Sequence, residues 1–189
     1  MPFGRTKKKS ALLDENALYD YAVKALGRRM RTVAELKRLM RSRVESGETG
    51  ETKIDRVIVR LKAQRYLNDT SYASSYARLR QENQSFGKRR VQQDLVQKGV
   101  HADVIGKTLK AAYEDVNEEE LARQHLERKR VGKPANDKEA ARVMRMLVRA
   151  GFSTGVIFKI LKKWDVNDDA LAALEFMDND GPESGNGDR

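Results

Sequence analysis

LVQKGVHADVIGKTLK (residues 95–110) returns, 52 positions later, as LVRAGFSTGVIFKILK (147–162). Leu95 falls on Leu147, Val96 on Val148 and Gly99 on Gly151; Val104, Ile105 and Leu109 fall on Val156, Ile157 and Leu161. Upstream, Val91 meets Val143. In both copies apolar residues recur at helical spacing, a glycine follows, and a second apolar stripe begins. A glycine after the last helical turn, followed by a hydrophobic residue (Val100 or Phe152), is the sign of a left-handed helix stop. The repeated object is a helix–glycine–helix hairpin.

Working outward, each hairpin is preceded by a third helical pattern. DTSYASSYARLRQEN (69–83) places Tyr72, Tyr76 and Leu79 on one face, with Asp69 as the expected N-cap. NEEELARQHLERKR (117–130) begins with Asn117 and three glutamates and ends in Arg128, Lys129 and Arg130, the charge order that suits a helix dipole. Its apolar side is Leu121 and Leu126. Earlier in the chain, residues 14–28 offer Leu18, Tyr21, Ala22 and Ala25. Thr32 and Glu35 have capping-box spacing for a helix through Leu36, Leu39 and Met40. Here the glycine stop is missing and ESGETGETK reads as a longer loop, before a helix through Ile54, Val57, Ile58 and Leu61.

The expected fold is therefore all-α, three tandem three-helix repeats forming an elongated, curved array. The divisions fall at a basic arm (1–13), repeats at 14–68, 69–115 and 116–165, and an acidic, disordered tail (166–189). Each repeat is too small to stand alone, so neighbours must share their seams.

Composition agrees. The 189 residues are 39% hydrophobic and 35% charged, with three prolines. That favours long helices with a narrow apolar seam over one thick core. The absence of cysteine excludes disulfides and thiolate chemistry and allows a cytoplasmic home. No stretch approaches the roughly 20 apolar residues of a membrane span. Net charge is +10, unevenly placed: residues 165–189 hold eight acids against Arg189, leaving the rest at +17. A basic body with an acidic end points to a polyanionic or acidic partner, and to competition between that end and the partner for the basic face.

The cations with the best claim to such a partner are Lys88, Arg89 and Arg90, which open a helix against its dipole, and Arg80, about two turns earlier. Lys107/Lys159 and Lys110/Lys162 recur between the copies, although packing does not require lysine. Lys98 precedes the first repeated glycine. Arg28 and Arg29 read as ordinary helix-end cations. Tyr72, Tyr76, Phe86, Tyr113, Phe152, Phe158 and Trp164 read mainly as core, with Phe86 and Trp164 bordering basic residues. His101 reads as solvent-facing or capping, and His125 as lying among charges. With two histidines, no GxxxxGK[ST] and no GxGxxG, neither catalysis nor a cofactor is expected.

The stretch YLNDTSYASSYARLRQENQSFGKRRVQQDLVQKGV (66–100) resembles the RecX family of bacterial recombination regulators. The residues that carry the resemblance are Tyr66-Leu67-Asn68-Asp69, Tyr72-Ala73, Arg80, Gly87, Arg90-Val91, Asp94-Leu95 and Lys98-Gly99-Val100. Asn68 stands for the family's usual acid and Asp94 for its usual glutamate, and the acidic end lies outside the pattern. The resemblance implies three tandem three-helix repeats and a partner, RecA, in its filament on single-stranded DNA. It implies inhibition of RecA ATP hydrolysis, strand exchange and co-protease activity by blocked filament extension, and hence regulation of homologous recombination and the SOS response. A monomer that is not an enzyme is expected. The alternative is a module that binds single- or double-stranded DNA, or RNA, directly and acts by competing for it.

Overall fold

The computed structural model describes residues 12–166, and both expected terminal segments lie largely outside them. Among the described residues there are nine α-helices: α1 (Glu15–Arg28), α2 (Val33–Arg41), α3 (Glu48–Ala63), α4 (Asp69–Gln84), α5 (Lys88–Gln97), α6 (Ala102–Tyr113), α7 (Glu118–Arg128), α8 (Asp137–Arg149) and α9 (Thr154–Lys163). They form two compact units. One takes residues 12–75 and 95–108, the other 76–94 and 109–166.

The first unit is built on α1–α3. Asp14 caps α1 by accepting from the Ala17 amide at 2.8 Å. Thr32 and Glu35 close the expected capping box on α2. Leu18, Ala22, Leu36, Met40, Ile54, Val57, Ile58 and Leu61 meet in a common core. Each large member stabilises it by roughly 1.5–3 kcal/mol. ESGETGETK is mostly not a loop: α3 starts at Glu48, after a Gly47 cap with φ +99°. Gly50, which suggests a turn in the sequence, is there because a Cβ would lie 1.9 Å from the Glu45 carbonyl oxygen. Asp69 is not the cap of α4 either. Asn68 accepts from the Ser71 amide at 3.0 Å, while Asp69 reaches the start of α2 and accepts from the Val33 amide at 2.9 Å.

Both repeated glycines end their helices as the sequence predicts. Gly99 has φ +73° and Gly151 +88°. After α5, the Val100 amide donates to Leu95 and the Gly99 amide to Val96; after α8, Phe152 donates to Leu147 and Gly151 to Val148. These are the paired bonds of a Schellman stop. The same bond pair ends α3, α7 and α9 with Arg65, Arg130 and Asp165 in the left-handed position. Glycine is therefore not needed for the turn alone. It is needed where another helix abuts the turn. In the first unit, a Cβ on Gly99 would lie 2.4 Å from that of Ala34 in α2, and Thr32 Oγ1 donates to the Lys98 carbonyl at 2.7 Å. In the second, a Cβ on Gly151 would lie 2.2 Å from the Arg90 nitrogen, and one on Gly87 2.3 Å from the Gly151 oxygen. The Gly87 amide donates to Ala150 at 2.8 Å and the Arg89 amide to Gly151 at 3.3 Å. Each glycine turn thus seats the start of an earlier hairpin's first helix. The α2–α3 connection has no earlier hairpin to seat among the described residues, and it has no such glycine.

The second unit buries Leu109, Leu126, Leu147, Phe152, Ile157, Ile160 and Leu161. Two residues assigned to apolar stripes are instead open: Leu79 is 47% exposed and Val96 59%. The buried face of α4 runs through Tyr72, Ala73 and Ala77. No helix among the described residues is long and apolar enough to cross a membrane.

Replacing Gly151 with alanine should cost about 2 kcal/mol or more, from the left-handed φ and the backbone clash together. Gly106→Ala, with open space around a mid-helix glycine, should instead stabilise by about 0.5–1 kcal/mol. Urea unfolding of the two variants checks the contrast.

Candidate functional site

The sequence RVMRMLVR in α8 puts Arg142, Arg145 and Arg149 three and four residues apart, on one helix face. Ala140, Val143, Met144 and Leu147 take the other face and are buried. The glycine joint then brings the first turn of α5 against the end of α8, which delivers Arg90. The end of α7 delivers Lys129. These five cations rim a cleft of about 440 Å³ whose apolar lining includes Phe86, Met146 and Ala150. Among the described residues no carboxylate lines it.

Pairing separates these cations from their neighbours. Arg78 pairs with Glu82, Lys133 with Asp165, and Lys163 with Glu119 at 2.5 Å. Arg123 also bonds to Glu119. By contrast Lys129, Arg142, Arg145 and Arg149 are exposed and have no ion pair among the described residues. Like charges at this helical spacing destabilise by a few tenths of a kcal/mol per pair. A bound anion would relieve that repulsion.

Phe86 organises the deep end. The Arg80 guanidinium lies 6.0 Å from its ring centroid and that of Arg90 lies 5.7 Å away, so two of the sequence candidates converge on one ring. Arg80 also covers Tyr76 at 4.7 Å. Asp94 accepts from the Tyr76 hydroxyl at 2.9 Å and sits 3.2 Å from Arg90 Nε. The Tyr113 hydroxyl donates to the Phe86 carbonyl at 2.8 Å, which fixes the backbone under the ring.

His125 is not among solvated charges. It is 3% exposed, its ring centroid 5.9 Å from Phe86 and 6.1 Å from Phe152. Burial pushes its pKa below the ordinary histidine value, against the opposing pull of a bond to the Gln84 carbonyl. In the neutral ring, Nδ1, 2.8 Å from that oxygen, must carry the proton. Arg128 donates to the carbonyls of Glu82 at 2.6 Å and Asn83 at 2.7 Å. One turn of α7 thereby satisfies three successive carbonyls at the end of α4.

The remaining sequence candidates have varied surroundings. Lys88 and Arg89 are exposed on the first turn of α5. The dipole penalty expected there is offset, because the carbonyl end of α8 abuts that turn. Lys98 belongs to the first unit's joint, 3.2 Å from Glu35 Oε1 and 5.8 Å from the Tyr72 ring centroid. Lys107 and Lys110 on α6, and Lys159 and Lys162 on α9, are exposed. None of these seven lines the cleft. His101 is exposed and accepts from the Asp103 amide at 3.4 Å, a cap on α6 as expected. Sequence reasoning missed Arg142, Arg145, Arg149 and Lys129; the 3–4 spacing of arginines in α8 was the available signal.

These features define a class: an all-helical protein of three-helix units presenting a cation-rich cleft. Two family models sharpen it. That of the RecX second three-helix domain matches residues 68–109, and that of the third matches 117–161. The chain is 36% identical to the regulatory protein RecX of Leptothrix cholodnii, over 76% of this chain and 87% of that one. It is 33% identical to that of Myxococcus xanthus, over 83% and 88%. The crystal structure of RecX from Lactobacillus salivarius superposes with a TM-score of 0.63 at 22% identity, covering 80% of this chain and 96% of that one. The chain belongs to the RecX family of regulatory proteins.

Because folding favours neutral His125, the unfolded state takes up a proton more readily. Stability should be full above the ordinary histidine value of about 6.5 and decline as pH falls below it. Thermal melts from pH 7.5 to 5 should show that loss, and His125→Gln should flatten it.

Proposed function

We propose that this chain regulates RecA. It binds RecA and RecA filaments on single-stranded DNA, and it inhibits ATP hydrolysis, strand exchange and co-protease activity by blocking filament extension. Recombination and the SOS response in the cytoplasm are thereby restrained. The observation that carries this reading is family membership across most of the chain, alongside relatives named as regulatory proteins. The mechanism is occupancy. A cation-rich surface bound at a filament end excludes the next subunit without any chemistry, so neither a cofactor nor a catalytic group is required.

The cleft gives this surface its centre. Arg90 and Arg80 are candidates from sequence, where Phe86 reads mainly as core; Arg142, Arg145, Arg149 and Lys129 extend them. Lys88, Arg89, Lys98, Lys107, Lys110, Lys159 and Lys162 are proposed as further contacts to RecA or DNA. A monomer is the proposed working form.

The four cations beside an aromatic ring, unpaired among the described residues, also favour a second reading, in which the chain binds nucleic acid directly and only competes for it. Salt separates the two. Binding dominated by phosphates weakens steeply with rising salt. Inhibition that persists at salt abolishing direct DNA binding favours action on RecA.

The test is single-stranded-DNA-dependent ATP hydrolysis by the cognate RecA, with DNA in excess and this protein substoichiometric. The rate should fall at far less than one molecule per RecA. An unchanged rate would leave only the second reading.

A further inference from the structure

The cleft is complementary to a segment of the same chain. Its rim is cationic, with Lys129, Arg142, Arg145 and Arg149 unpaired among the described residues, and its lining includes Phe86, Met146 and Ala150. A fitting ligand carries several carboxylates interleaved with apolar side chains. Residues 168–180, DDALAALEFMDND, have that composition: five acids among leucine, phenylalanine and methionine. Residues 167–189 as a whole hold seven acids against Arg189.

The exit point suits the match. The described chain leaves at Val166, which shares a depression with Asn136 and Asp137 at the start of α8. Lys133 Nζ holds Asp165 there at 2.8 Å. At a rise of about 1.5 Å per residue, the arginine face of α8 lies roughly 8–18 Å further along that helix. Eleven residues, from Val166 to Met177, span up to roughly 35 Å.

We propose that residues 168–180 dock in the cleft formed by Phe86, Arg90, Lys129, Arg142, Arg145 and Arg149, and screen it from other polyanions. Carboxylates take the rim cations, and the apolar side chains cover Phe86 and Met146. Any nucleic acid or filament that uses the cleft must compete with the segment for the same cations. The proposal relies on the RecA reading only for the identity of the displacing partner.

The chain has no cysteine, so introduced pairs report proximity cleanly. Full-length protein carrying Met146→Cys and Met177→Cys is exposed to oxidised glutathione at low salt, and intramolecular disulfide is followed by mass. The control pair is Gln124→Cys with Met177→Cys, Gln124 being exposed on α7 outside the cleft. The cleft pair should close roughly tenfold faster than the control, the signature of a raised effective concentration. Arg142→Glu, Arg145→Glu and Arg149→Glu together should bring it to the control rate. So should conversion of the five carboxylates of 168–180 to amides, which leaves the cleft intact. Saturating oligo(dT) should slow closure to the same rate. Equal closure of the two pairs overturns the docking, and closure indifferent to oligo(dT) overturns the screening. Neither readout involves RecA, so a failure here is distinct from a failure of RecA inhibition.

Discussion

The backbone contact between Gly87 and the Ala150–Gly151 turn is the constraint on which the second unit depends. Two amides at the start of α5 donate to two carbonyls at the end of α8, and no side chain fits between them. The contact satisfies groups that helix ends leave open, and it sets opposite ends of two helix dipoles against each other. It also builds the cleft. Phe86 and Arg90 flank the joint on one side, while Arg145, Met146 and Arg149 lie on the last turns of α8. The feature that makes the repeat legible in sequence, its glycine, is the same feature that brings the cations together.

The first unit uses a related device with different chemistry. Thr32 both caps α2 and donates to the Lys98 carbonyl, and Glu35 pairs with Lys98. The position that the first unit fills with a capping glutamate is held in the second by Arg90, which turns toward Phe86 and Asp94. A residue that locks a joint in one hairpin thus contributes to a site in the next. That substitution is consistent with a functional surface placed on the second unit.

Much of this was readable from the chain. The 52-residue shift identified both glycine stops, and the spacing of Thr32 and Glu35 identified a capping box. Other features were hidden for identifiable reasons. Gly50 mimics a turn signal, yet it serves close approach inside α3. Charged neighbours disguised His125, whose burial depends on Phe86 and Phe152 from distant positions. Val96 and Leu79 obey helical periodicity while facing outward, because periodicity does not say which side a partner will cover. The arginines of α8 were overlooked beside valines and leucines that carried the repeat. Their meaning emerged only when the joint brought Arg90 and Phe86 to them.

The central claim is that the cleft of the second unit is the surface through which the chain acts on RecA. It is tested most directly by comparing the wild-type protein with its Arg142→Glu, Arg145→Glu, Arg149→Glu variant as inhibitors of RecA ATP hydrolysis on excess single-stranded DNA. Matching thermal melts would establish that both are folded. The account predicts that the variant loses most of its inhibition. Full inhibition by the folded variant would contradict it and move the active surface elsewhere on the molecule.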